Sequence, residues 1–150
     1  MKNFFFLVVG LAVITGSFYL VMQKPAPSRY QAIQTIQIGE KTIIVEIADT
    51  EVEREMGLSG RETLADGAGM LFIFGTPGKY GFWMKDMNFP IDIVWVDESF
   101  IVRGVERLVN PYTYPRVFYP PDNIKYVLEI GAGEASNLGI DIGTKVSPSL

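Results

Sequence analysis

Gly69, Met70, Leu71, Phe72, Ile73 and Phe74 form an unbroken apolar run of six residues. Such a run is too short for a helix and leaves no polar position for a solvent face, so it reads as a strand covered on both sides. On its N-terminal side, Gln31 to Ile38 and Lys41 to Ala48 flank Gly39 and Glu40, with Ile43, Val45 and Ile47 alternating against Thr42, Ile44 and Glu46. Period-two alternation about a two-residue turn led by glycine predicts a hairpin. Thr50 with Glu53 three positions later has capping-box spacing, and Glu51 and Glu53 place negative charge in the first turn of the short helix this predicts. Gly57 and Gly60 limit its length.

On the C-terminal side, Phe82 to Met84, Ile91 to Val96, Phe100 to Glu106 and Ile124 to Ile130 supply four further strands, with Asp97, Glu98 and Ser99 as a tight connection. Glu134 to Leu138 predicts one or two helical turns stopped by Gly139, and Lys145 and Val146 close the chain. The expected fold is mainly β: a compact β-sandwich or open barrel of about seven short strands with two short helices, following one N-terminal transmembrane helix.

That helix is expected over residues 4–22, where nineteen residues from Phe4 to Met22 carry no charge. At about 1.5 Å per residue the run reaches roughly 28 Å, against ~30 Å of hydrocarbon. Lys2 precedes it, Lys24 follows it, and Tyr19 lies near one end, where aromatic rings favour the interface. A cleaved signal peptide shares the basic start and the apolar stretch. Cutting near Thr15, Gly16 and Ser17, however, would leave Phe18 to Met22 as an apolar new terminus. The organisation expected is a flank at 1–3, an uncleaved anchor at 4–22, a Pro-containing linker at 23–31 and a β domain at 32–150. One lysine before the span and Lys24 with Arg29 after it do not orient the anchor by charge, so the usual arrangement of a single N-terminal anchor places the domain outside the cytoplasm.

Composition excludes more chemistry than it suggests. The 150 residues contain no cysteine and no histidine, so disulfides, thiolate metal sites and Ser-His-Asp or Cys-His catalysis are absent, and no cofactor or metal is expected. Thirteen Lys and Arg stand against 17 Asp and Glu; setting aside Lys2, Lys24 and Arg29 leaves 10 against 17, a net of −7 beyond residue 29. That balance argues against a nucleic-acid partner and against docking on anionic lipid.

Two regions stand out as candidate sites. In the strand Ile91 to Val96, Asp92 alternates onto the face of Val94 and Val96, so its carboxylate must be exposed at the strand end, paired, or raised in pKa by desolvation. Lys85 is the nearest cation across the Pro90 turn, with Asp86 beside it and Trp83 two residues earlier. Acid, ammonium and aromatic face on one loop would suit a small polar ligand such as a sugar or a peptide terminus. Alternatively, Asp92 ties down a loop by accepting backbone N–H bonds, Lys85 makes a surface pair and Trp83 is core. The second region, Asn110 to Asn123, holds four prolines together with Tyr112, Tyr114, Phe118 and Tyr119. Its rings read as a flap over an open end of the fold, as a ligand or partner surface, or as a contact with the membrane interface.

Other apparent motifs fail. Gly57 to Arg61 has its glycine one place too early for a nucleophile elbow, and Ser59 has no histidine to serve as base. Gly131, Ala132 and Gly133 resemble half of a dinucleotide fingerprint, but too little chain follows to complete a βαβ unit, so a helix-capping turn is expected.

The string from Gly69 to Phe74, then Phe82 to Met87, then Pro90, Ile91 and Asp92, resembles the family called domain of unknown function 192. Arg54 to Leu58, Tyr126 to Glu129 with Gly131 to Gly133, and Gly139, Ile140 and Gly143 extend the resemblance over roughly residues 43–146. It implies a compact, mainly β fold and, commonly, export or anchoring, with no assigned activity. The sequence departs from the family pattern at Asp86, where Asn is expected, and at Met87, where Thr is usual.

Two functional classes follow. One is a membrane-anchored extracytoplasmic ligand-binding or accessory module, recognising a small polar ligand or a protein partner through Trp83, Lys85, Asp86, Asp92, Tyr112, Tyr114 and Tyr119. The other is a carboxylate-dependent hydrolase or transferase with Asp92 as general acid or base and Lys85 stabilising developing charge. A purely structural or assembly role is the remaining alternative.

Overall fold

The computed structural model describes residues 33–148. The expected anchor and linker lie outside the described residues. Among those described, no helix is long and apolar enough to cross a membrane.

The expected hairpin is formed by β1 (Ile33–Ile38) and β2 (Lys41–Ala48), with Ile38 opposite Lys41 and Gly39 at a φ of +58°. The turn thus takes a left-handed conformation that glycine adopts without steric cost. Helix α1 (Glu51–Met56) follows directly. Glu53 N–H donates to Thr50 Oγ1 at 3.3 Å, while Thr50 N–H and Asp49 N–H donate to Glu53 Oε2 at 3.0 and 3.3 Å. These bonds, Thr50's first, hold the Glu53 carboxyl below the usual carboxylate range. Thr50→Ala removes the acceptor for an orphan helix N–H and is expected to cost about 1 kcal/mol, read as a lower thermal midpoint. An unchanged midpoint would show that α1 is held by packing alone.

Beyond α1 the strands are β3 (Ala68–Gly78), β4 (Phe82–Trp83), β5 (Ile91–Val96), β6 (Val102–Val109), β7 (Val117–Phe118), β8 (Ile124–Gly131) and β9 (Val146–Pro148), with α2 (Glu134–Asn137) after β8. Seven of them form one sheet in the order β6-β5-β8-β3-β2-β1-β9. Every neighbouring pair is antiparallel except β2 and β3, which run parallel because the α1 segment carries the chain back before β3 begins. The sheet curls until its two edges meet at one end. There Ile101 bridges Lys145, Val102 N–H donates to Thr144 O, and Val146 N–H donates to Phe100 O, both at 2.9 Å. The result is a curled half-barrel, the open-barrel form of the expectation, and not two sheets packed face to face.

Alternation sorts the side chains into two layers. Ile36 and Ile38, Ile43, Val45 and Ile47, Leu71, Val94 and Val96, Val102, Tyr126, Leu128 and Ile130, and Val146 turn inward from all seven strands, joined by Ala135 of α2 and by Ile140. The outer face of the central strands carries Met70, Phe72, Phe74, Ile91, Ile93, Trp95 and Val127. An outer face this apolar must itself be covered. Leu58 and Met84 cover it, together with Phe118.

Phe118 belongs to a strand that sequence reading did not expect. Within the proline-rich segment, β7 pairs with β4 as a separate two-stranded sheet, placing Phe82 opposite Phe118 and Trp83 opposite Val117. The segment therefore lies along the outer layer instead of over an open end. Two residues of pairing suffice because the prolines fall outside β7, where no ladder N–H is required.

The candidate site on the outer face

Position 129 is where the outer layer breaks its own rule. In β8 the sequence Val127, Leu128, Glu129, Ile130 puts Glu129 on the outer face with Val127, between Met70 of β3 and Ile93 of β5. Its residue is 5% exposed. No hydrogen bond to its carboxyl group is formed among the described residues. Burial raises its pKa to about 8, and the positive charge of Arg61 pulls weakly the other way. An acid flanked by Met70 and Ile93 within the sheet loses most of its hydration, and this burial favours the protonated form near neutrality.

Glu129 lines a cavity of about 580 Å³ between the central strands and the segments that cover them. α1 and the turn after it contribute Glu51, Arg54, Glu55, Met56 and Leu58 to the walls. The opposite side is aromatic. The Phe82 ring meets Phe72 edge-on at 4.9 Å and 87°, and Trp95 at 5.4 Å and 76°, while Phe74 stacks on Tyr80 at 3.7 Å and 7°. Phe72, Phe74, Tyr80, Phe82 and Trp83 all line the cavity, with Trp83 52% exposed.

The covering segments are fastened by polar contacts that leave the cavity open. Arg54 donates to the carbonyls of Asp49 and Ile73, the latter at 2.9 Å, and lies over the Phe74 ring at 5.3 Å. Arg61 makes a two-pronged pair with Glu46, at 2.5 and 2.8 Å, which holds the Glu46 carboxyl below the usual range. Ser59 Oγ donates to Lys85 O at 2.9 Å, Gly60 N–H to Asp86 O at 2.8 Å, and Asn88 Nδ2 to Arg61 O at 2.8 Å. The loop from 85 to 88 and the turn after α1 are thereby clipped together by their backbones. Asp86 takes a φ of +55° within this clip, a conformation that Asp and Asn tolerate better than other side chains.

The residues singled out from sequence fall into three separate places. Trp83 lines the cavity. Lys85 and Asp86 are exposed beside it, joined to the turn after α1 by their carbonyl oxygens. Asp92 is elsewhere: it is 0% exposed and alternates toward the inner layer. Its Oδ1 accepts Leu108 N–H at 2.7 Å, and its Oδ2 accepts Gly133 N–H at 3.0 Å and Ala135 N–H at 2.9 Å. The glycine-containing turn before α2 is thus a helix cap, with Gly133 at the N-cap. Both Asp92 oxygens are occupied by backbone donors, so it ties β5 to the kinked end of β6 and to the start of α2. Tyr112, Tyr114 and Tyr119 are exposed and do not line the cavity. Among the described residues no group of three or more His, Cys, Asp or Glu is placed to hold a metal ion.

Sequence reasoning missed Glu129 as a site residue, although the signal was present. An acid between Leu128 and Ile130 within an otherwise apolar strand poses the same question as Asp92.

The family model DUF192, described as an uncharacterized ACR, matches residues 33–148. The chain belongs to this family. Two solved structures share its fold. One, from Sinorhizobium meliloti 1021, carries a name that makes it a candidate transcription regulator; it is 26% identical, with a TM-score of 0.74 over 79% of this chain and 95% of that one. The other, a protein of unknown function from Novosphingobium aromaticivorans, is 31% identical, with a TM-score of 0.69 over 77% of this DUF192 chain and 83% of that one. No curated protein matches the chain.

Proposed function

We propose that this DUF192 protein is a membrane-anchored, extracytoplasmic binding module for a small molecule, and that its site is the Glu129 cavity. The observation that carries this reading is the Glu129 carboxyl group, in a residue only 5% exposed and with no hydrogen bond among the described residues, set in the wall of an aromatic-sided cavity of ligand size. A buried polar group is retained against its desolvation cost where a bound group can satisfy it, and a largely apolar concavity with few polar atoms is the usual form of a small-molecule site. The uncharged run from Phe4 to Met22 supports the anchor, and the short Pro-containing linker would keep the cavity near the bilayer.

A DNA-directed role, suggested by the name of the Sinorhizobium relative, has no electrostatic support in a domain with a net of −7. Catalysis by Asp92 with Lys85 has little support either, since three backbone donors occupy the Asp92 oxygens.

The test is a thermal-shift screen of the full chain in detergent against sugars, cell-wall fragments, short peptides and small amines. A ligand of the folded state must raise the midpoint. Trp83→Ala removes a half-exposed wall residue, so it is expected to weaken a true cavity ligand about five- to tenfold, in line with the loss of one stacking or cation–π contact, while leaving the unliganded midpoint nearly unchanged. Shifts that survive both Trp83→Ala and Glu129→Gln would place binding elsewhere and overturn the assignment.

A further inference from the structure

The geometry points to a specific ligand class, resting on the reading that the cavity binds a small molecule: an organic ammonium with an apolar body, its cationic end against Glu129 and its body against the aromatic wall. Three features of the cavity agree on this class.

First, the charge-bearing side chains lining the cavity are Glu51, Glu55, Glu129 and Arg54. Arg54 is committed, donating to two carbonyls and lying on Phe74. A cation entering between α1 and the aromatic wall therefore meets the Glu51 and Glu55 carboxylates at the mouth and a carboxyl group inside that can ionise to pair with it, whereas an anion meets repulsion at the mouth and, among the described residues, no free cation within. Second, the wall is built of ring faces and edges, and Trp83 at the mouth is the ring type that attracts cations most strongly. Third, the Glu129 carboxyl has no hydrogen bond among the described residues, and an ammonium N–H provides a charge-assisted one. A neutral ligand would gain only an ordinary hydrogen bond there.

Binding of the cation exchanges for the Glu129 proton: the carboxyl O–H bond breaks, the proton leaves to solvent, and the carboxylate pairs with the ammonium. The other charged or titratable groups packed around Glu129 are Glu51, Arg54 and Glu55 from α1, Tyr80 from the aromatic side, and Glu46 with Arg61 two strands away. Glu106 stands opposite Ile93 at the end of the same cross-strand row. Of these, Glu46 is held ionised by its pair with Arg61, and Glu129 is the group whose raised pKa falls at the edge of the tested range.

The probes are 2-phenylethylammonium and its neutral counterpart 2-phenylethanol, titrated calorimetrically into the full chain in detergent at pH 6, 7 and 8. The ammonium stays protonated throughout this range, as a lysine side chain does. With Glu129 titrating at about 8, the ammonium is expected to bind about 50-fold more tightly at pH 8 than at pH 6, releasing close to one proton per ligand at pH 7. Glu129→Gln should abolish both the pH dependence and the proton release while remaining folded. The alcohol should bind more weakly than the ammonium at pH 8, without that rise. If the alcohol binds as tightly as the ammonium at pH 8, or the ammonium's affinity is flat with pH, the cation assignment is overturned and a neutral-ligand cavity stands. If neither probe binds, the small-molecule reading falls with it.

Discussion

Asp92→Ala is expected to remove roughly 4 kcal/mol or more of folding stability, because three buried or part-buried backbone N–H groups lose their only acceptor at once and each such loss costs about 1–3 kcal/mol. Set against a total of about 5–15 kcal/mol for an ordinary domain, that is enough to leave the variant partly unfolded. The effect is large because the three donors belong to segments distant in sequence. Leu108 sits at a φ of +54° where β6 is kinked against β5, and Gly133 and Ala135 begin α2. No nearby backbone carbonyl replaces the carboxylate, since the β5–β6 ladder shifts register between Ile91 and Ile93. Asp92→Asn keeps the side-chain shape and one acceptor oxygen, so it should lose less. Urea unfolding of the three proteins checks the order. An Asp92→Ala protein as stable as the parent would mean that the bonds contribute nothing and would reopen Asp92 as a functional acid.

The second large effect is the dependence of stability on pH. Glu129 has its folded pKa raised from 4.5 to about 8, so between these values the folded chain holds a proton that the unfolded chain has released. Stability therefore falls as pH rises through this window, at about 1.4 kcal/mol per unit, for a total of roughly 4–5 kcal/mol by pH 8, and is flat in this contribution outside it. Glu46, Glu53 and Asp97 have lowered folded pKa values. Their contributions have the opposite sign: present above the unfolded carboxylate pKa, lost as pH falls through the folded one. The two trends cross near pH 5, where the parent should be most stable. Glu129→Gln leaves the acid limb intact and removes the alkaline one, so the variant should match the parent near pH 4 and exceed it by several kcal/mol at pH 8. Chemical unfolding from pH 4 to 9 reads this directly; parallel curves for parent and variant would show that Glu129 is not held protonated by burial.

Much of the fold was legible because its signals are local. The Gly39 turn, the Thr50–Glu53 box, the six-residue run at 69–74 and the strand at 91–96 each declare themselves within a few residues, and each is formed as read. The β4–β7 pair did not declare itself, since two short strands 35 positions apart carry no periodicity, and the prolines around β7 pointed away from any sheet. Curling was equally hidden. A β-sandwich and an open barrel share strand lengths and alternation, and the choice is made by edge contacts such as Ile101 with Lys145, which no pattern announces.

The site was legible in part. Trp83, Lys85 and Asp86 were singled out and stand at or beside the cavity, but the buried acid grouped with them was Asp92, on the basis of proximity across the Pro90 turn. Closeness in sequence misled because alternation sends Asp92 inward, while the loop that precedes it covers the outer face. The acid that does face the aromatic wall comes from β8, some forty residues later, and only the sheet order β5-β8-β3 brings it there.

The most direct measurement is the titration of Glu129 itself, by carbon-13 NMR of its side-chain carboxyl in the unliganded protein from pH 4 to 10, with Glu129→Gln to assign the signal. A midpoint near 8, well separated from the other glutamates, is expected for an acid held neutral inside the cavity. A midpoint near 4.5 would mean that water or a cationic partner already satisfies the carboxylate, and would contradict the site on which the proposed function rests.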